Sequence, residues 1–324
     1  MIQCKPVPHL DGLFLTSDGD ATPMLQQVSI NGRILPRSRA RVSVADGGFL
    51  HGEGVFETIR LYAGKAIFIE EHLHRLTGGA RMLGLVCPPG ETIRREIGRL
   101  VRANRVRGDA VCRISLSRAP QGRARRNAAT RVIFLRALGE ETARDFERGV
   151  HARTLGFERA AGPSASLKTL SYLPSLLALR AADLAGASEA IFISSGDLVL
   201  EGATTNIFAR VENVFVTPPT DGRILPGVTR QRLLSLGGEG VPSIKEAPLE
   251  REALLGASEI FLTNAVRELI PVIRLDGRPV GGGRPGPFTR ALQERWRTFV
   301  ESLVSPPPRK RAQRRKRPGG APRI

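Results

Sequence analysis

Ser164-Ala165-Ser166-Leu167-Lys168-Thr169-Leu170-Ser171-Tyr172-Leu173 sets one lysine among apolar residues, just ahead of an apolar helical stretch. An amine held there is partly desolvated, which favours its neutral, nucleophilic form. The chain has only six lysines (Lys5, Lys65, Lys168, Lys245, Lys310 and Lys316), so the search for a reactive amine is short. Tyr172 follows Lys168 by four residues, and on a helical turn that spacing brings its hydroxyl towards the amine. The plain alternative is a surface lysine whose stem lies along apolar neighbours at a helix start.

Three other stretches stand out. Glu201-Gly202-Ala203-Thr204-Thr205-Asn206-Ile207-Phe208 places an acid directly after the apolar run Leu198-Val199-Leu200. A carboxylate buried there needs a cationic partner, for which a protonated pyridine nitrogen would serve; the alternative is an exposed acid on a turn. Ile224-Leu225-Pro226-Gly227-Val228-Thr229-Arg230 leads into a helix, and the free N–H groups of a helix start favour a phosphate. Asp46-Gly47-Gly48-Phe49-Leu50-His51-Gly52-Glu53-Gly54-Val55-Phe56-Glu57-Thr58-Ile59-Arg60 is followed by Glu71-His72-Leu73-His74-Arg75-Leu76. Its glycines allow close backbone approach, and Arg75 has the fork that clamps a phosphate. His72 and His74 are two apart, so on a helix they face away from each other and cannot share a metal.

The predicted elements divide the chain into two blocks. Met1–Gln26 reads as a disordered leader, with Met24 as an alternative start. A first α+β block spans 27–138. It opens on a hairpin in which Asn31-Gly32 suits a type I′ turn, since both turn residues need positive φ. Strands are expected at 55–62 and 66–69, helical spacing at Leu73, Leu76, Ala80 and Leu83 and again at Ile93, Ile97, Leu100 and Val101, then strands at 110–117 and 131–137. Polar 139–149 reads as a linker. The second block, 150–304, carries strands at 190–194, 205–211, 214–217, 259–263 and 271–275, with helices at 173–184, 229–236 and 288–304. The tail from 305 is rich in Pro, Arg and Gly and is expected to be disordered. The fold class is α/β (α+β) in two domains.

Composition removes several alternatives. Hydrophobic residues make up 41% of the 324, ordinary for a globular chain, and no apolar run approaches the roughly 20 residues of a membrane span. No signal peptide is read at the start. Cys4, Cys87 and Cys112 lack metal or disulfide spacing, which fits a reducing, cytoplasmic setting. The net charge is +18, and eight basic residues with no acid lie after Ser305. Such a run can hold phosphates without specificity; no specific nucleic-acid partner is expected.

Taken in order, the four stretches resemble the class IV aminotransferases, the fold-type IV enzymes that use pyridoxal 5′-phosphate. The resemblance covers about Val28 to Phe299. It implies a two-domain fold with the cofactor between the domains, and a homodimer in which each copy lends part of the other's site. It further implies that Lys168 holds the cofactor as an imine with Tyr172 nearby. Glu201 would pair with the pyridine nitrogen, near Asn206, while Arg75, Val228 and Thr229 would hold the phosphate. Asn264 and Ala265 belong to Phe261-Leu262-Thr263-Asn264-Ala265-Val266-Arg267, which is similar to a segment of the lyase-like members. Leu116-Ser117-Arg118-Ala119-Pro120-Gln121-Gly122-Arg123 leans the same way. The expected reaction is therefore conversion of 4-amino-4-deoxychorismate to 4-aminobenzoate and pyruvate, with transamination of branched-chain or D-amino acids as the alternative. His51, Arg113 and Arg118 are the candidates for the amino-bearing substrate; an exposed strand arginine is the alternative for either arginine. Four positions depart from the pattern: His51 stands for Tyr or Phe, Glu53 for Asp, Ala119 for Gly, and Ala265 lacks a hydroxyl for the phosphate.

Overall fold

The computed structural model describes residues 24–120, 128–156, 162, 164–236 and 243–305. Of the expected leader Met1–Gln26, the part up to residue 23 lies outside the described residues, as do the tail from 306 and the loop after Pro120 at 121–127; Met24, Leu25 and Gln26 are not leader but the start of the first strand, paired with residues further along the chain.

The first sheet grows from the predicted hairpin. Strands β1 (Met24–Ile30) and β2 (Arg33–Pro36) flank Asn31 and Gly32, whose φ values of 51° and 84° are the positive pair that this tight turn requires. Helix α1 (Gly47–His51) leads into β3 (Gly54–Leu61). Helices α2 (Ile69–Met82) and α3 (Gly90–Ala103) follow, then β4 (Ala110–Arg118) and β5 (Ala129–Ala137). The strand order is β2-β1-β5-β4-β3, antiparallel throughout. Alternation along β3 and β4 gives the sheet two characters. Val55, Ile59, Leu61, Cys112, Ile114 and Leu116 join a core with Leu73, Leu76, Ile93, Ile97 and Leu100 of α2 and α3. Phe56, Thr58, Arg60 and Arg113 occupy the opposite face.

The strand expected at 66–69 does not form. A single bridge joins Tyr62 and Lys65, and Ile69 opens α2. Ile67 and Phe68 instead pack into an aromatic cluster, with the Phe68 ring 5.6 Å from that of Trp296 and 6.0 Å from that of Phe299. Burial against these distant residues outweighs the local preference for a hairpin.

The stretch read as a linker is helix α4 (Glu140–Arg148), which packs on the second sheet. The elements that follow are β6 (Val150–Leu155), α5 (Leu173–Leu184), β7 (Glu189–Ile193), β8 (Val199–Gly202), β9 (Asn206–Val211) and β10 (Val214–Thr217). Next come α6 (Val228–Ser235), β11 (Ile244–Glu246), α7 (Arg251–Leu255), β12 (Glu259–Asn264), β13 (Glu268–Leu275), β14 (Arg278–Pro279) and α8 (Pro287–Val304). Their sheet runs β11-β10-β9-β12-β13-β6-β7-β8, with β14 paired to β13. It mixes parallel pairs (β6 with β7, β6 with β13, β10 with β11) and antiparallel ones. Phe261 at its centre stacks on Phe208 at 4.7 Å and meets Phe215 edge-on at 5.0 Å. No helix among the described residues is long and apolar enough to cross a membrane.

Candidate active site

The lysine segment is pinned to the edge of the first sheet. Strand β3 is an edge strand, so its outer N–H and C=O groups need partners. Phe56 N donates to Lys168 O at 2.8 Å, Leu170 N donates to Gly54 O at 2.9 Å, and Val55 bridges Thr169. Gly54 makes room for this docking: a Cβ there would stand 2.4 Å from Leu116 O and 2.5 Å from Leu170 Cδ1.

That docking gathers three side chains around one ring. Lys168 Nζ lies 4.5 Å from the centroid of Phe56, and Arg113 Cζ lies 3.7 Å from it. Tyr172 meets the same ring edge-on, with centroids 5.5 Å apart. Burial lowers the Arg113 guanidinium to about 10, against the pull of Tyr172 and Glu57. A guanidinium in such surroundings gains from any anion brought to it.

Behind Phe56, Glu57 points into the core and is fully buried. Its Oε1 accepts from Arg75 Nε at 2.7 Å, and its Oε2 accepts from Arg75 Nη2 and His72 Nδ1, both at 2.7 Å. Burial pushes the Glu57 carboxyl up, but Arg75 and His72 together bring it down to about 2. Burial likewise holds the His72 imidazole below its usual range, against Glu57. The spare arm of Arg75 donates from Nη1 to Pro226 O at 2.7 Å, so this cluster reaches across to the loop ahead of α6.

The residues around that loop form the second half of the site. Glu201, on β8, is 3% exposed. Its Oε2 accepts from Leu225 N at 3.0 Å and from Asn206 Nδ2 at 3.2 Å, and Asn206 Nδ2 also donates to Leu225 O at 2.9 Å. Helix α6 starts at Val228 and Thr229, both buried, and no side chain among the described residues caps it. Gly227 precedes it because nothing larger fits: a Cβ there would fall 1.9 Å from Asn206 Oδ1. Thr263 pairs in register with Asn206, and its Oγ1 is buried without a hydrogen-bond partner among the described residues.

The side chains of the remaining candidates are engaged or directed otherwise. Asn264 turns its side chain on its own loop, Oδ1 accepting from Val266 N at 3.0 Å and Arg267 N at 2.8 Å. Ala265 follows it within the same turn. Arg118 is engaged with Glu53 Oε1 at 2.5 Å and with Leu83 O at 2.6 Å, beside α1 rather than on the Phe56 ring. His51 is exposed at the end of α1. No group of three or more His, Cys, Asp or Glu among the described residues is placed to hold a metal. The sequence alone assigns no role to Phe56 or Glu57. The signal for Glu57 was an acid alternating with Val55 and Ile59 on the inward face of a strand.

The family model for amino-transferase class IV matches residues 54–275, more than half of the chain. A D-alanine aminotransferase of Bacillus licheniformis is 32% identical over 270 residues, covering 82% of this chain and 94% of that relative. Among solved structures, the branched-chain aminotransferase of Thermoproteus uzoniensis, determined with norvaline, superposes with a TM-score of 0.78 at 28% identity. It covers 87% of this chain and 96% of its own. A hypothetical aminotransferase from Mycobacterium tuberculosis in its PLP-bound form gives 0.76 at 27% identity, over 86% and 98% of the two chains. This chain therefore belongs to the class IV aminotransferases, the fold-type IV pyridoxal-phosphate enzymes.

Proposed function

We propose that this enzyme transfers an amino group from an amino acid to a 2-oxo acid, with pyridoxal 5′-phosphate attached to Lys168. The observation that carries this reading is the convergence of an amine, a buried guanidinium and a phenol on the Phe56 ring. The residues of the second half-site suit the cofactor. Glu201 offers a buried carboxylate to a protonated pyridine nitrogen, and Asn206 orients it. The uncapped start of α6 at Val228 and Thr229 offers N–H groups to a phosphate. The Thr263 hydroxyl, without a hydrogen-bond partner among the described residues, lies beside Asn206 in the sheet.

Bound pyridoxal phosphate supplies an electron sink that lets a carbon beside nitrogen lose a proton. The chain supplies the rest. Lys168 Nζ provides the anchoring amine and is the base that moves a proton from the substrate Cα. Tyr172 packs edge-on against the same Phe56 ring that Lys168 faces. Arg113 receives the substrate carboxylate, with its guanidinium held over the Phe56 ring. Arg75 serves the phosphate end through its position at Pro226 and the carboxylate of Glu57. Ala265 leaves only main-chain N–H groups to that end, with Asn264 shaping the turn.

The transaminase reading takes precedence over the lyase that the sequence favoured. The lyase rested on the Asn264-Ala265 and Arg118 segments, and those two side chains are engaged in local contacts. The similar proteins described above carry aminotransferase names. A homodimer completes the reading. Val44, Phe49 and Leu50 are exposed large apolar residues beside His51, and Leu173 and Leu177 present more of the same at the start of α5. Such a patch suits a second copy, whose site His51 would then face.

The test is the visible spectrum of the purified protein through a panel of L- and D-amino acids. A cofactor band that bleaches with one of them and returns with a 2-oxo acid is the expected result, and the responding amino acid names the substrate class. Pyruvate release from 4-amino-4-deoxychorismate with no 2-oxo acid present would establish the lyase instead. No cofactor band after supplying pyridoxal phosphate would overturn both.

A further inference from the structure

We infer that Arg60 is a positioning residue for the phosphate end of the cofactor. This inference rests on the cofactor reading above. Arg60 lies on β3, four residues from Phe56 on the same sheet face. Its Nη1 donates to Val266 O at 3.1 Å, a main-chain carbonyl inside the turn 264–268. The same nitrogen is 3.2 Å from Glu268 Oε2, while Nε and Nη2 are anchored on Asp109 Oδ2 at 3.2 and 2.8 Å. Glu268 closes that turn at the start of β13. Its φ of +60° is a conformation that non-glycine residues rarely adopt. Its Oε1 accepts from Tyr62 Oη at 2.7 Å and Trp296 Nε1 at 2.9 Å. Residues from the first sheet and from α8 therefore hold a carboxylate whose backbone would otherwise relax.

The consequence falls on the turn's N–H groups. Asn264 Oδ1 already takes the N–H groups of Val266 and Arg267, and Ala265 has no hydroxyl. Of the N–H groups at 265–267, the one that Asn264 Oδ1 does not take is that of Ala265, and its value to a phosphate depends on where the main chain is held. Arg60 holds it at Val266 O as Arg75 holds the other loop at Pro226 O. Each of the two loops expected at the phosphate is tied by a guanidinium from the first block to one carbonyl.

The experiment is a cofactor titration of the full-length protein, stripped and refilled, as wild type, Arg60→Ala, Arg60→Lys and Glu268→Gln. Each is titrated with pyridoxal 5′-phosphate and separately with pyridoxal, which lacks the phosphate. Arg60→Ala and Glu268→Gln should weaken pyridoxal phosphate about tenfold, the scale of one hydrogen bond to a charged group. Pyridoxal affinity should change less than about twofold, and Arg60→Lys should recover part of the loss by keeping a donor near Val266 O. Equal weakening of both compounds would mean that Arg60 only supports the fold and would overturn the inference. Unchanged affinity for both would also overturn it. If Arg60→Ala does not fold, Glu268→Gln decides by the same comparison. A wild type that binds neither compound would refute the cofactor reading instead, which separates the two failures.

Discussion

Removing the carboxylate of Glu57 should cost most of what a buried charge cluster can contribute. The substitution is Glu57→Gln. The native carboxylate sits at about 2 in place of its ordinary 4.5, a difference worth about 3 kcal/mol of stability at neutral pH. This agrees with the roughly 3–5 kcal/mol lost when one partner of a buried ion pair is removed. Glutamine keeps the shape but offers one acceptor where Arg75 and His72 present three donors, and it turns an NH₂ towards them. The assay is denaturant unfolding of wild type and variant between pH 7 and pH 3, with thermal midpoints alongside. At pH 7 the variant should be less stable by about 3 kcal/mol, or roughly 4–5 °C in a chain of this size. The sign of the pH effect follows from a depressed carboxyl. Its contribution is complete above 4.5 and is lost as pH falls towards about 2, so the two curves should converge on acidification. Burial also keeps His72 neutral, below its usual 6.5. Acid therefore protonates the unfolded imidazole first, and stability begins to decline below about pH 6.5. A variant within about 1 kcal/mol of wild type at pH 7, or a gap that stays constant down to pH 3, would refute this account of Glu57.

Three further substitutions probe the rest of the site. Lys168→Ala should abolish the cofactor's imine absorption and reduce turnover by at least about a hundredfold, read by absorbance and by coupled assay. Arg113→Ala should raise the KM for amino acids about tenfold or more, the loss of a charge-assisted contact, with a smaller effect on kcat; a changed kcat at constant KM would contradict its placement at the carboxylate. Gly227→Ala puts a Cβ 1.9 Å from Asn206 Oδ1. It should displace Asn206 from Glu201 and weaken cofactor binding, whereas Gly78→Ala, with nothing within 4 Å of its Cβ, should not.

Much of the architecture was legible because its causes are local. Asn31-Gly32 sets a turn by its own backbone preference, and the structure has both residues at positive φ. The apolar run after Tyr172 became α5 over the predicted Leu173–Leu184. The Lys168, Glu201, Arg75 and Thr229 stretches could be singled out because each pairs an ionisable or polar group with an apolar or glycine-rich setting, and that contrast is visible in a short window. Elsewhere only tertiary structure decided. The stretch 66–69 gave up its strand for contacts with Trp296 and Phe299, which no window of neighbours contains. Charged 140–148 looked like a linker but folded as α4, where Asp145 meets Arg267 at 3.3 Å across 122 residues. Arg113 and Arg118 were equivalent in the sequence. The three-dimensional fold put one against the Phe56 ring and the other on Glu53. Arg75 reached Pro226 across 151 positions, and Arg60 reached Val266 across 206. Turn and helix preferences are energies of adjacent residues and are written in order along the chain. The partner of a buried charge is chosen by which distant groups the packed sheets bring within about 3 Å, and only the folded chain sets that distance.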